Sequence, residues 1–440
     1  MTLALTGGLV LTSLDPVALE GADVVVDGGR VIEVGSAPDS ATRRDCSGCV
    51  IVPGNVCAHT HLYSALARGM PYGLEAPANF LQILQRIWWR LDRALDEEAI
   101  RASVLVGGAA AVLSGTTTLV DHHASPNAID GSLDVVADAL DELGVRSLLC
   151  YEVTDRDGPE RATAGLRENE RFLSSHRPSA RGLVGAHASF TLSEETLAAC
   201  VDLAARTRSG IHVHVAEDAA DQRDSRARFD IPVVGRLAEA GALTDRSLLA
   251  HCIHLGDEEL TLVRDAGAWV AHNPTSNMNN SVGHAPAEAL GDLVALGTDG
   301  IGADMFAESK SAYFRARDED VFTSIEWPLE RLAVGARMLG QAFDEPELGK
   351  IVPGAPADLT VLDYVAPTPL AAENVAGHWM FGIEARHVRD VLVAGEAVVA
   401  DRRLARVDEE KIAADAIVQA ARLWERLDAI PPHPFEPMGV

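Results

Sequence analysis

Short apolar runs recur between residues 54 and 298, and most of them carry His, Asp or Glu at or beside their ends. The runs are Gly54–His61, Gly115–His122, Val145–Val153, Gly182–Ser189, Ile211–Ala216, Ser247–His254, Trp269–His272 and Ala295–Thr298. Stretches with helical spacing separate them. Phe80, Leu84, Ile87, Trp88, Leu91 and Leu95 follow a 3.6-residue period. Thr191 or Ser193 can cap the helix that runs through Arg206, and Thr191 with Glu194 fits a capping box. Eight strand–helix units in succession predict an α/β chain built as a (β/α)8, TIM-like barrel.

The flanks read differently. Leu3–Leu11, Asp23–Asp27 and Arg30–Val34 look like strands, with a tight turn at Asp27-Gly28-Gly29. Alternation returns at Ala357–Leu362 and Asp390–Gly395, then a charged helix over Asp408–Leu427 and a proline-rich tail. The expected division is 1–53 and 351–406 as two parts of one small β-sandwich module, 54–350 as the barrel, and 407–440 as helix and tail.

Charge and composition exclude several classes. The net charge of −28 opposes a nucleic-acid partner or an anionic membrane surface. The longest apolar candidate, Ala102–Val120, is broken by Gly107, Gly108, Ser114 and Gly115, so no transmembrane span is expected. The first residues lack a basic segment and a cleavage pattern, so no secretory leader is expected either. Six cysteines in 440 residues are too sparse for a disulfide scaffold and point to free thiols in a reducing cytoplasm.

The run ends carry the chemistry. A barrel of this kind collects its catalytic groups at the C-terminal ends of its strands. His59 and His61 lie two apart on a strand, so both imidazoles point into the mouth and make half of a metal site. In Ile211–Glu217, His214 is nearer the strand end than His212, which reads equally well as a buried core residue. Glu217 at the rim suits a proton shuttle. Of His251 and His254, His251 is favoured to face the mouth. Asp299, between Thr298 and Gly300, suits a metal and its water, although alone it would read as a turn aspartate. His187, Asp121-His122-His123 and His272-Asn273 stand at further run ends. Each residue has an ordinary structural explanation alone. Together they make a site for one divalent ion.

Rival motifs are missing. There is no HExxH, no phosphate-binding glycine loop after a strand and no Gly-x-Ser-x-Gly. Cys46 and Cys49 form a lone CxxC with no second pair. Trp88 and Trp89 can line a lid over the mouth, or belong to the core.

The segments PGNVCAHTH, GTTTLVD, HVHVAE, LLAHCIHL, HNPTSNMNNSVG, GTDG and PGAPADLTVLD occur in that order from about Val52 to Gly395. This pattern resembles the amidohydrolase superfamily, in its aminohydrolase and chlorohydrolase branch. DMFAESKSAYF at 304–314 and NVAGHWMFG at 374–382 are similar to SsnA-type aminohydrolases within it. The resemblance implies metal ligands His59, His61, His214 and Asp299, a proton shuttle at Glu217 and an activating histidine at His251. It also implies that His187 and the Asn273–Asn277 loop face substrate. The chain departs from the binuclear members, because no Lys follows the fourth run and His187 stands there; one ion per chain is expected. His122-His123 is a second departure and offers an extra substrate contact.

The expected activity is hydrolytic deamination of a small aminated nitrogen heterocycle. The ion supplies an activated water, Asp299 and His251 orient it and take its proton, and Glu217 protonates a ring nitrogen so that ammonia can leave. The alternative is hydrolysis of another C–N, C–Cl or cyclic amide bond at the same site. Zinc is expected, although ferrous iron also suits three His and one Asp. A homodimer is the default assembly.

Overall fold

The structure is a computed structural model and describes residues 2–439. Eight parallel strands overlap the eight expected runs. They are β1 (Asn55–Thr60), β2 (Thr116–His123), β3 (Arg146–Tyr151), β4 (Val184–Ala188), β5 (Ile211–Val215), β6 (Leu248–His251), β7 (Trp269–His272) and β8 (Val294–Leu296). They are distributed over two sheets. One runs β1-β2-β3 and ends on the short strand Ala180–Gly182; the other runs β4-β5-β6-β7-β8. The fourth run therefore divides. Leu183 N–H donates to Leu149 and Val184 N–H to Gly210, so adjacent amides serve opposite neighbours. Single parallel bridges, Val153 to Ala186 and Thr60 to Asp299, link the edges of the two sheets.

Helices and turns follow local chemistry. Asp96 caps the helix Glu97–Leu113 by accepting from Ala99 N, and Glu97 and Glu98 add negative charge where the helix dipole favours it. This helix buries Ile100, Val104 and Val112, each worth about 1.5–3 kcal/mol of transfer free energy. The apolar stretch Ala102–Val120 is thus helix, then strand. Gly115, at φ +79°, makes the reversal that a side chain would strain. Among the described residues no helix is long and apolar enough to cross a membrane. All six cysteines are buried and unpaired.

Three local expectations are corrected. Leu3–Leu11 is two strands, Leu3–Thr6 and Leu9–Leu14, which enter different sheets because Gly7 takes φ +81° between them. Helix Glu194–Thr207 is capped by Ser193, one of the two expected candidates, whose hydroxyl accepts from Thr196 N; the expected Thr191–Glu194 capping box does not form, because Thr191 lies in the preceding 3-10 turn. The helical stretch after β1 is α over Phe80–Ile83, widens to a π turn over Leu84–Trp88, and resumes over Trp89–Ala94.

Both chain flanks join one seven-stranded sheet, in which Val50–Pro53 pairs antiparallel with Leu359–Leu362. A four-stranded sheet, built of Arg30–Gly35, Asp23–Asp27, Leu3–Thr6 and Thr42–Asp45, shares an apolar core with it. Leu5, Val24, Val10, Ile51, Leu359 and Leu392 belong to that core.

Candidate active site

The ends of β1, β5, β6 and β8 bring five polar side chains together. His61 Nε2 lies 3.0 Å from Asp299 Oδ1 and 3.1 Å from His214 Nε2. His59 Nε2 lies 3.4 Å from the same Asp299 oxygen. Ligand atoms of His59, His214, His251 and Asp299 all fall within 4.8 Å of one another. The backbone bends sharply to achieve this: Ala216, His251, Cys252 and Asp299 all take positive φ without being glycine. Such conformations cost energy and persist where the surroundings enforce them. Gly297 lets β8 approach closely, since a Cβ there would stand 2.8 Å from the His59 backbone nitrogen.

Hydrogen bonds outside the cluster set the tautomers. His61 Nδ1 donates to the His122 carbonyl at 2.6 Å, and His214 Nδ1 to the His187 carbonyl at 2.8 Å. His59 Nδ1 shares a hydrogen bond of 2.9 Å with His212 Nε2. In the neutral rings the inner Nε2 of His61 and that of His214 are lone pairs, and the two face each other. Lone pairs at this distance repel unless a positive charge lies among them, and a divalent cation supplies it. His59 Nε2 and His251 Nε2 are buried without any hydrogen-bond partner. The donor set fits a metal ion.

The electrostatics say the same. Burial pushes His59 down to about 3 and His214 well below the usual histidine range, so both stay neutral. Burial also opposes charge on His61, but its bond to Asp299 and that carboxylate's charge more than offset it and raise His61 to about 9. Burial works against the Asp299 carboxylate too, yet the adjoining His59 and His61 imidazoles hold it well below the usual range. The cluster thus favours one positive charge beside Asp299, which a proton on His61 Nε2 or a bound cation supplies.

Glu217 stands at the rim, its Oε2 3.5 Å from His251 Nε2, and it accepts from Asn280 Nδ2 at 3.4 Å. Burial, then the negative charge of Asp299, push its carboxyl well above the usual range, so it holds its proton. Burial lowers His251, whose Nδ1 donates to Asn277 Oδ1 at 2.8 Å. A protonated carboxyl and a neutral imidazole therefore stand side by side.

A cavity opens above these groups. His187, Trp88, Trp89, Phe190, Glu152 and Glu217 line it together with His61, His214 and Asp299. Of the expected substrate contacts, His187 and Trp88 reach the cavity. His122, Asn273 and Asn277 do not. His122 is fully buried, with Nε2 on the His212 carbonyl and Nδ1 3.3 Å from Glu152. Asn273 is also fully buried and donates to the Ala271 carbonyl. His212 is a core residue behind His59, and His254 turns away to the Val282 carbonyl.

Sequence reasoning missed three contributors. Glu152 ends β3 as a polar residue in an apolar run, the same signal used elsewhere. Ser276 donates to Asp299 Oδ2 at 2.5 Å. Arg156 donates to Glu152 Oε1 at 3.0 Å and pairs with Asp92, both deep inside the protein.

The chain belongs to the amidohydrolase family, whose pattern matches residues 50–398. The 5'-deoxyadenosine deaminase of Methanosarcina mazei is 28% identical over 435 residues, covering 96% of this chain and 98% of that protein. A 5-methylthioadenosine/S-adenosylhomocysteine deaminase of Nitratidesulfovibrio vulgaris is 31% identical over 426 residues, covering 92% and 93%. Among solved structures, an adenosine deaminase from Xanthomonas campestris with bound zinc superimposes with a TM-score of 0.83. It is 24% identical and covers 97% of this chain and 99% of its own. Family and structural likeness imply a TIM-barrel fold of mixed α/β content, and the family makes the chain a hydrolase acting on carbon–nitrogen bonds.

Proposed function

We propose that this chain is a zinc-dependent aminohydrolase that deaminates a small aminated nitrogen heterocycle and releases ammonia. The observation that carries the reading is the pairing of protonated Glu217 with neutral His251, 3.5 Å apart, at the edge of the lone-pair cluster. His59, His61, His214 and Asp299 would hold the ion. When bound, it lowers the pKa of a water enough to make a nucleophile near neutral pH. Glu217 donates its proton to a ring nitrogen, which draws electrons from the carbon bearing the amine. His251 takes the proton of the water through Nε2, and Asn277 holds that imidazole in the required tautomer. His251 passes the water's proton on to the amine nitrogen, which leaves as ammonia, and the hydroxyl proton goes to the Glu217 carboxylate as the ring becomes a lactam. His187 and Trp88 contact the ring.

One ion per chain is supported by the charge beside the second donor group, His61, His122, Glu152 and His214. Arg156 already holds Glu152 there at 3.0 Å, and a second cation would meet its guanidinium. We further infer that the two parallel sheets close into the eight-stranded barrel over 54–350. On the same reading, segments 1–53 and 351–406 form a β-sandwich around their shared core, 407–440 adds helix and tail, and the enzyme works as a cytoplasmic homodimer.

The names of the relatives add adenine nucleosides to the panel. The zinc-loaded chain should be screened for ammonia against purines, pterins, triazines, pyrimidines, 5'-deoxyadenosine and 5-methylthioadenosine. Stoichiometric ammonia with a lactam product is expected. Chloride release, or ring opening without ammonia, would move the enzyme to C–Cl or cyclic amide hydrolysis.

A further inference from the structure

The segment after the long helix Glu409–Asp428 does not trail into solvent. Pro431, Pro432, Pro434 and Pro437 stiffen it, so little chain entropy is lost when it docks. Gln85, in the π turn over the cavity, anchors its middle. The Gln85 carbonyl accepts from His433 N at 2.9 Å, and its amide donates to Phe435 O at 2.8 Å and Glu436 Oε1 at 3.0 Å. Met438 N then donates to Asp224 Oδ1 at 2.7 Å, on the helix Ala219–Phe229 that follows Glu217. The segment therefore ties together two elements on either side of the cavity.

Two of its side chains stand directly behind the cavity wall. His433 is 4% exposed, and its ring lies 5.3 Å from that of Trp89. The Phe435 ring lies 5.8 Å from Trp89 and 6.3 Å from Phe190, and both partners line the cavity. A relay of charge leads inward from the same place. His433 Nε2 is 3.6 Å from Asp157, Asp157 is 3.4 Å from Arg156, and Arg156 holds Glu152 at 3.0 Å. Glu152 in turn stands 3.9 Å from His187 Nε2. The Arg156 guanidinium also sits over the Trp89 ring at 5.2 Å.

We propose that His433 and Phe435 are positioning residues for substrate binding: segment 430–439 is a strap that fixes Trp89 and the Arg156–Glu152–His187 wall. The proposal rests on the cavity being the substrate pocket. It predicts a loss of binding with the chemical step spared, because neither residue approaches Glu217 or the lone-pair cluster.

The test compares the zinc-loaded full chain with a chain ending at Ala429 and with the double variant His433→Ala/Phe435→Ala, which keeps the backbone anchors. On the compound turned over in the screen, KM should rise about tenfold or more while kcat stays within about threefold, the signature of lost uniform binding. The conservative pair His433→Gln/Phe435→Leu should recover most of the binding. Hydrogen exchange should rise in peptides spanning 84–94 and 152–158 and stay level in 269–280, with zinc content unchanged. Unchanged KM in both variants, or exchange raised only within 430–439, would overturn the proposal. If the full chain turns over no compound of the panel, the deaminase reading falls, and the exchange measurement alone decides the strap.

Discussion

His61 and His214 face each other through Nε2 at 3.1 Å, while each spends its Nδ1 proton on a backbone carbonyl. As neutral rings, neither can donate to the other. The contact is held by the carbonyls of His122 and His187, which fix both rings, and it needs a cation between the two lone pairs. Metal analysis of the purified chain should give about one ion per chain. His214→Ala should lose it, and chelation should abolish turnover. Two ions in one site, or full activity after chelation, would contradict the arrangement.

Glu217→Gln should separate proton transfer from metal binding. Its carboxyl takes no part in the lone-pair cluster, so the ion should remain. Turnover should fall by about a hundredfold or more, the scale of general acid–base catalysis. Loss of the ion in this variant would show that Glu217 is a ligand instead.

The pH profile should carry the same residue's signature. Burial and the charge of Asp299 raise Glu217 above the usual carboxylate range. An acid with a raised pKa keeps its proton at neutral pH and loses it as pH rises through the raised value. The donor form is then lost, so kcat/KM should fall on the alkaline side. A Glu217→Gln enzyme should lack that limb in its residual activity; the same limb in the variant would assign it to another group.

Asn277→Leu should act through His251. Its Oδ1 accepts from His251 Nδ1 and so leaves Nε2 free toward Glu217. Without it the ring can turn or change tautomer. Replacing such an outer partner typically costs about 10–100-fold in activity or metal affinity. A fall in kcat with zinc retained is expected, and unchanged kcat would remove Asn277 from the positioning of His251.

The polar run ends were readable because β strands alternate: a histidine two residues from another, at the end of an apolar run, has one direction to point. Alternation carries the reading for His59 and His61; His214, Glu217, His251 and Asp299 rest on their place at run ends and on the family resemblance. It failed where the local geometry changes. The loop after β7 is the helix Pro274–Asn279, so Ser276, Asn279 and Asn280 share one face and Asn273 and Asn277 another. Read as a loop, Asn273–Asn277 is expected to face substrate as a whole, and the helix divides it: Ser276 lines the cavity while Asn273 and Asn277 are buried away from it. His122, expected as an extra contact, is turned inward by its strand beneath His61, where its Nδ1 lies 3.3 Å from Glu152. The pairing of Glu152 with Arg156, and the docking of 430–439, join residues far apart in sequence, and no local pattern announces them.

The exchange of cap between Thr191 and Ser193 supplies the last prediction. Ser193 caps helix Glu194–Thr207, accepting from Thr196 N at 3.1 Å, and does not touch the cavity. Ser193→Ala should cost about 1 kcal/mol of stability and leave kinetics alone. Thr191 has the other task. Its hydroxyl lies 2.7 Å from His187 Nδ1 and itself donates to the Ala188 carbonyl, so it receives the imidazole proton and leaves Nε2 as an acceptor facing the cavity. Thr191→Val would strand that buried N–H at a cost of about 1–3 kcal/mol, which the ring escapes by moving its proton to Nε2. Both variants should therefore lower the melting temperature, and only kinetics separates them. Thr191→Val should change KM, since the ring atom presented to substrate changes from acceptor to donor, whereas Ser193→Ala should leave KM as it was. Equal KM in the two variants would mean that His187 does not contact substrate through Nε2.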